Sequence, residues 1–155
     1  MSILEIYRDM ECYTCRSNSG EQRISPGPTI YEGKYWLIEH AYPSKLKGWL
    51  VITTKRHVEK LHELSKEEFR ELAEICEKTT KVLHKTLNCQ KEYAMCLAEV
   101  EHFNHIHFHL IPKPNALPND LTGTKIFALL KVTEKDAVPR GEIKRFCESL
   151  RKKFN

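Results

Sequence analysis

The run His105-Ile106-His107-Phe108-His109-Leu110-Ile111-Pro112 sets three imidazoles two residues apart, with apolar residues between them. Successive strand side chains point to opposite faces, so this alternation predicts a strand with Ile106, Phe108 and Leu110 toward a core. The three histidines then share the other face at roughly 6.5–7 Å spacing, within reach of one phosphate or one metal ion. A lone histidine hydrogen-bonded in a core is common. Three at period two are not explained by packing, and a face built only for solubility would use Lys, Glu or Thr.

Cys12 and Cys15 form the only close pair among six cysteines. In a reducing compartment a C-x-x-C is a redox pair or half of a zinc site. A redox pair normally opens a helix after a strand, whereas Arg16-Ser17-Asn18-Ser19-Gly20 reads as a loop. A zinc site would need two more ligands. Cys76, Cys89, Cys96 and Cys147 are scattered in apolar contexts and read as buried free thiols.

The elements that would position these groups follow from local patterns. Residues 29–32 and 35–40 read as strands around a Gly33-Lys34 turn, and the apolar run at 49–54 as a central strand ending at the polar corner Lys55-Arg56-His57. Ser65 and Glu68 form a capping box that opens a long helix to Leu87, with Asn88 as its stop. Phe69, Leu72, Ala73, Cys76, Thr80, Leu83 and Leu87 would form its apolar face, leaving His62 and His84 on the surface. Residues 93–100 read as a strand joined by a short connection to the histidine strand, antiparallel to it. Pro112 and Pro114 would end that strand. Residues 126–132 read as a further strand. After Pro139, a last helix would bury Ile143, Phe146, Cys147, Leu150 and Phe154 on one face. Many strands and one long crossing helix indicate an α+β protein with an antiparallel sheet of about five strands.

At 155 residues the chain suits one domain over 1–155. Hydrophobic residues at 41% and charged residues at 30% describe an ordinary soluble globular protein. A net charge of +4 fits an acidic substrate, but Lys144, Arg145, Arg151, Lys152 and Lys153 supply much of it and read as a solvated helix face. No nucleic-acid partner is expected. No apolar run reaches 18 residues, which argues against a membrane span, and residues 1–10 lack a signal-peptide core. The expected location is cytoplasmic.

The triad and its flanks resemble the histidine-triad (HIT) family. Residues 105–111 match its His-φ-His-φ-His-φ-φ signature throughout, and Gly48 to His57 resembles its Gly-His-x-Leu-Val-x-Pro-Lys-x-His segment in outline. The resemblance spans about 12–113, with a C-terminal strand and helix beyond it over 125–155. It implies a HIT-like fold and a hydrolase, also described as a nucleotidyl transferase, acting at the α-phosphate of a nucleoside phosphoramidate or dinucleoside polyphosphate. His107 would attack phosphorus and form a covalent nucleotidyl-histidine. That requires a neutral imidazole, its second nitrogen donating to a backbone carbonyl. His109 would donate to phosphate oxygens and His105 would support the nucleophile.

The zinc-containing branch of the family further implies Cys12, Cys15, His57 and His105 as ligands of a structural zinc. The resemblance also implies a nucleotide substrate, purine in base, and a homodimer in which the C-terminal helix is a candidate contact. Substrate contacts are expected from His102, Asn104, Glu39 and His40.

Three positions depart from the family pattern. Trp49 replaces a histidine after Gly48, removing a polar group there. The segment Val100-Glu101-His102-Phe103-Asn104 replaces a Gly-rich loop with Gln and Ser or Thr, so His102 would stand in for a hydroxyl donor beside the acceptor Glu101. Ala98 stands where Asn is frequent. Two readings of other classes compete: a non-catalytic metal protein using His105, His107 and His109 with Glu99 or Glu101, and a nucleotide-binding module without turnover.

Overall fold

A computed structural model describes residues 11–155; the expectation about residues 1–10 lies outside the described residues. The order is α1 (Tyr13–Asn18), β1 (Tyr31–Glu32), β2 (Trp36–His40), β3 (Leu50–Thr54), α2 (Lys66–Leu87), β4 (Lys91–Met95), β5 (His107–Lys113) and α3 (Arg140–Arg151). The strands form one antiparallel sheet in the order β1-β2-β3-β5-β4, and the fold class is α+β. β3 is central, as its continuous apolar run predicts.

Register sorts the side chains. Leu37, Thr53 and His107 lie opposite one another across β2, β3 and β5, as do Glu39, Val51 and His109, so these share one face. Trp36, Ile38, Leu50, Ile52 and Leu110 take the other face and join the main core beneath α2 and α3. Helix α2 starts where the capping box predicts: the Ser65 hydroxyl accepts from Glu68 N–H while the Glu68 carboxylate accepts from Ser65 N–H. It stops at Asn88, whose left-handed φ of 49° ends the helical hydrogen bonding.

Several local expectations are corrected. Residues 13–18 form a short helix rather than a loop, because Cys12 caps it: its sulfur accepts from Cys15 N–H. The buried stripe of α2 is Glu68, Leu72, Ile75, Thr79 and Leu83, while Phe69, Ala73 and Thr80 escape full burial. The box that starts α2 buries Glu68, and Arg56 pairs with it, which rotates the stripe by about one position. β4 ends at Met95, and an irregular segment reaches β5. That strand continues through Pro112 to Lys113, since the β3 ladder has already ended at Leu110. Residues Gly123–Leu130 form a 3₁₀ helix rather than a strand, with Ile126 fully buried. A short apolar run fits either state, and no neighbouring strand edge claims it. With Trp49, Ile111 and Phe127 it forms a second apolar cluster on the histidine face. Among the described residues no helix is long and apolar enough to cross a membrane.

Candidate functional site

His107 and His109 are neighbours on one face of β5, their ring centroids 4.9 Å apart. His107 is partly buried, and its Nδ1 lies 2.7 Å from the His105 carbonyl oxygen. A carbonyl only accepts, so Nδ1 carries the proton and Nε2 keeps a free lone pair. Burial lowers the His107 pKa from its ordinary 6.5, opposed by that hydrogen bond, so the ring is neutral at pH 7.

His109 has the complementary tautomer. The Trp49 indole Nε1–H donates to its Nδ1 at 3.0 Å, and an indole nitrogen can only donate. The remaining proton of neutral His109 therefore sits on Nε2. Burial, with a smaller effect of neighbouring His107, pushes the His109 pKa down to about 3. Phe127 packs edge-on against both His109 and Trp49. One face thus holds a free imidazole lone pair beside a neutral imidazole donor, backed by an apolar wall.

His105 leaves this pair. Its main chain lies just before β5, and its ring turns toward Cys12, Cys15 and His57. His105 Nδ1 is 3.5 Å from Cys12 Sγ and 3.4 Å from Cys15 Sγ, and His57 Nδ1 is 3.3 Å from Cys15 Sγ. Sulfur and nitrogen ligands of one tetrahedral zinc lie about 3.5 Å apart, given bond lengths of about 2.3 and 2.05 Å. The far nitrogens complete the arrangement. His105 Nε2–H donates to the Thr54 carbonyl at 2.8 Å, and His57 Nε2 lies 3.0 Å from the Glu59 carboxylate. Both tautomers aim a bare Nδ1 at the sulfurs, the orientation a metal-binding imidazole needs. A hydrogen bond from the Cys15 side chain, opposed by burial and aided by His105, pulls the Cys12 thiol down to about 3. The four donor atoms lie within 4.8 Å of one another.

The four expected substrate contacts fare differently. Glu39 does share the face of His107 and His109, two strands from His109. Its carboxylate already accepts from Arg23 at 2.7 and 3.1 Å and from Thr29 Oγ1 at 2.6 Å. The structure does not bring His40 to that face, because neighbouring strand residues alternate. On the opposite face His40 is buried, its Nδ1–H donating to Ala41 O at 2.7 Å and its Nε2 accepting from Gly48 N–H at 2.9 Å. Gly48 has φ +91°, and a Cβ would meet Leu87 Cδ1 at 2.4 Å, so this contact needs glycine.

His102 and Asn104 line a cleft of about 250 Å³ beside the cysteine cluster, with Glu11, Cys12, His57, Glu59 and Glu101. Three carboxylates make it a poor phosphate site, and neither His107 nor His109 lines it. His102 instead stacks on Tyr13 at 4.7 Å and accepts Tyr13 N–H at its carbonyl, fastening α1 to the loop. Nor does the structure bring the three triad rings to one point, since the His105 ring turns to Cys12 and Cys15. Among the described residues the candidate metal groupings contain neither His107 nor His109.

Sequence reasoning gave no role to Phe127, Thr54 or Glu59, and saw in Trp49 only the loss of a histidine. Trp49 still brings a polar group, the indole N–H that donates to His109. An indole in a predicted central strand, on the histidine side by parity, was the available signal.

Comparison with known proteins gives the family and the fold. Residues 22–116, more than half of the chain, match the family model for the HIT domain. Adenosine 5'-monophosphoramidase hnt1 of Schizosaccharomyces pombe is 33% identical over 70 residues, 44% of this chain and 51% of that protein. The chain thus spans about half the length of that relative. Solved structures share the fold. A Zn-bound histidine triad family protein from Mycobacterium smegmatis superposes with TM-score 0.66 at 19% identity, covering 94% of this chain and 96% of that one. A hypothetical histidine triad nucleotide-binding protein from Sulfolobus tokodaii gives TM-score 0.69 at 14% identity over 92% and 91%. With His107 and His109 set as the signature predicts and the family model spanning that strand, the chain belongs to the HIT domain family.

Proposed function

We propose that this chain is a nucleotide hydrolase that cleaves at the α-phosphate through a covalent nucleotidyl intermediate on His107. The observation that carries this reading is the 2.7 Å bond from His107 Nδ1–H to the His105 carbonyl, which leaves Nε2 as the nucleophile. Nε2 attacks phosphorus, a P–N bond forms, and the bond to the leaving amine or phosphate breaks. The leaving group departs with the electron pair and takes up a proton from solvent. His109 Nε2–H donates to a non-bridging phosphate oxygen as charge builds there. Water then attacks the phosphoramidate, releasing a nucleoside monophosphate and restoring neutral His107. His105 contributes its carbonyl rather than its ring.

An adenosine phosphoramidate is the preferred substrate class, supported by the activity named for the hnt1 relative; adenosine also fits the expectation of a purine. Cys12, Cys15, His57 and His105 would hold a structural zinc, tying α1 to the start of β5. The donor chemistry, the tautomers and the Zn-bound relative support this. A zinc held there would supply a crosslink between α1 and the start of β5.

The deciding experiment follows AMP release from an adenosine phosphoramidate by the wild-type chain and by His107→Ala at matched folding. Release by wild type and loss of at least about 10³-fold in the variant are expected. Equal background release from both, with dinucleoside polyphosphates also inert and nucleotide still bound, would replace this reading by the binding module.

A further inference from the structure

A second ligand cluster lies outside the site described above. His84 sits in the last turn of α2, Cys89 follows the helix stop at Asn88, and Glu92 is the second residue of β4. His84 Nδ1 lies 2.9 Å from Glu92 Oε1, Cys89 Sγ 3.1 Å from the same oxygen, and Cys89 Sγ 3.8 Å from His84 Nδ1. Three ligands of one tetrahedral zinc lie about 3.4–3.6 Å apart, from bond lengths of about 2.3 Å to sulfur and 2.0–2.1 Å to nitrogen and oxygen. The observed triangle is within about half an ångström of that on every side.

We propose that His84, Cys89 and Glu92 form a second divalent-metal site, selective for zinc-like ions, that clips the end of α2 to β4. Three features of the fold support it. The backbone is set for convergence: Asn88 adopts the left-handed conformation, and Asn115 Nδ2–H donates to its carbonyl at 2.8 Å, holding the turn that carries Cys89. The location favours a cation, since the unpaired carbonyls at the C-terminal end of a 22-residue helix give it a negative end. The donor set also suits the charge, because one thiolate, one carboxylate and one neutral imidazole balance a dication.

The chemistry of the donors narrows the ion. A thiolate with an imidazole favours zinc and related borderline ions over magnesium or calcium, which take oxygen ligands. Loading displaces the Cys89 thiol proton to solvent as the S–metal bond forms. Cys89 is buried while the His84 side chain is 54% exposed, so the cluster sits at the protein surface. Three protein ligands with an open fourth position give a site more exchangeable than a closed four-ligand one. Glu92 lies on β4 three residues before Met95, which pairs with His109. The clip would therefore brace the strand that flanks the histidine strand.

The test is metal stoichiometry of the full chain, stripped with chelator and titrated with Zn²⁺ against a chromophoric competitor. Co²⁺ titration read by thiolate charge-transfer absorbance provides a second measure. His84→Ala, a change at an exposed side chain, is expected to remove one equivalent and leave the thermal melt of the metal-free protein unchanged. Cys12→Ala/Cys15→Ala is expected to retain one equivalent, which Cys89→Ala then removes. If the cysteine cluster near the N-terminus holds no zinc, the loss in His84→Ala runs from one equivalent to none, so the two readings fail separately. Unchanged stoichiometry and affinity in His84→Ala, together with an unchanged Co²⁺ band in Glu92→Gln, would overturn the proposal.

Discussion

The indole N–H of Trp49 donates to Nδ1 of His109 across 3.0 Å, and this one bond sets which nitrogen of His109 can donate elsewhere. Trp49 is wholly buried, so no water replaces the donor if it is removed. Trp49→Phe keeps an aromatic ring but lets His109 populate both tautomers. Losing a hydrogen bond of about 1–1.5 kcal/mol predicts a roughly tenfold fall in kcat, with KM nearly unchanged. Steady-state kinetics on an adenosine phosphoramidate check this; an unaltered kcat would show that the bond is only structural.

The pH profile of activity should have its acid limb below 6.5. Burial holds His107 under its ordinary value, and only the unprotonated ring can attack. kcat/KM is therefore expected to be flat through neutral pH and to fall with unit slope once protons occupy Nε2. His109, near 3, titrates later and does not add to that limb. An acid midpoint above 6.5 would contradict a desolvated nucleophile.

Acid should also destabilise the fold through His40. Desolvation, opposed by its bond to Ala41 O, lowers this histidine to about 4. The folded state then binds fewer protons than the unfolded state between pH 4 and 6.5. Stability is full above 6.5 and is lost as pH falls through that window, by about 3 kcal/mol for this one group. Urea denaturation across pH 4–7 should show a flatter dependence for His40→Gln than for wild type; parallel curves would remove His40 from the account.

Arg56 pairs with a carboxylate that is only 3% exposed, donating to both oxygens of Glu68 at 2.7 and 2.8 Å. Arg56→Ala leaves that charge buried with Ser65 as its remaining partner. Breaking a buried pair costs 3–5 kcal/mol, and the half-exposed guanidinium reduces this to about 2 kcal/mol. A Tm lower by roughly 4–8 °C is expected by calorimetry. Glu68→Gln combined with Arg56→Ala should recover part of it.

Chelation, or His57→Ala, should lower Tm by roughly 10 °C, corresponding to about 3–5 kcal/mol of lost crosslinking. kcat should fall as well, because the residue whose ring joins the cluster also presents the carbonyl that orients His107. A melt insensitive to chelator and to His57→Ala would argue against zinc at these four residues.

Much of the site was legible because it is local. Alternation from 105 to 111 placed His107 and His109 on one face of a strand, and Ser65 with Glu68 marked the start of α2. The run at 126–130 was misread because five apolar residues in succession satisfy a strand and a 3₁₀ helix equally well. Phe127, which walls His109, went unseen with it. Glu39 and His40 both stand near the site in sequence, and only the strand register separates them, sending Glu39 to the face of His109 and His40 to the other.

Local covalent geometry and solvent preference act over a few residues, so the sequence by itself determined the histidine strand, its apolar underside, the long capped helix and the families of chemistry open to them. What each imidazole does was decided only by the tertiary structure. Tautomer and orientation depend on atoms distant along the chain: Trp49 for His109, Thr54 for His105, Glu59 and Cys15 for His57. Cys89 shows the same limit at short range. Its spacing from His84 and Glu92 carries no recognisable pattern, and only the left-handed turn at Asn88 folds helix end and strand start onto one point.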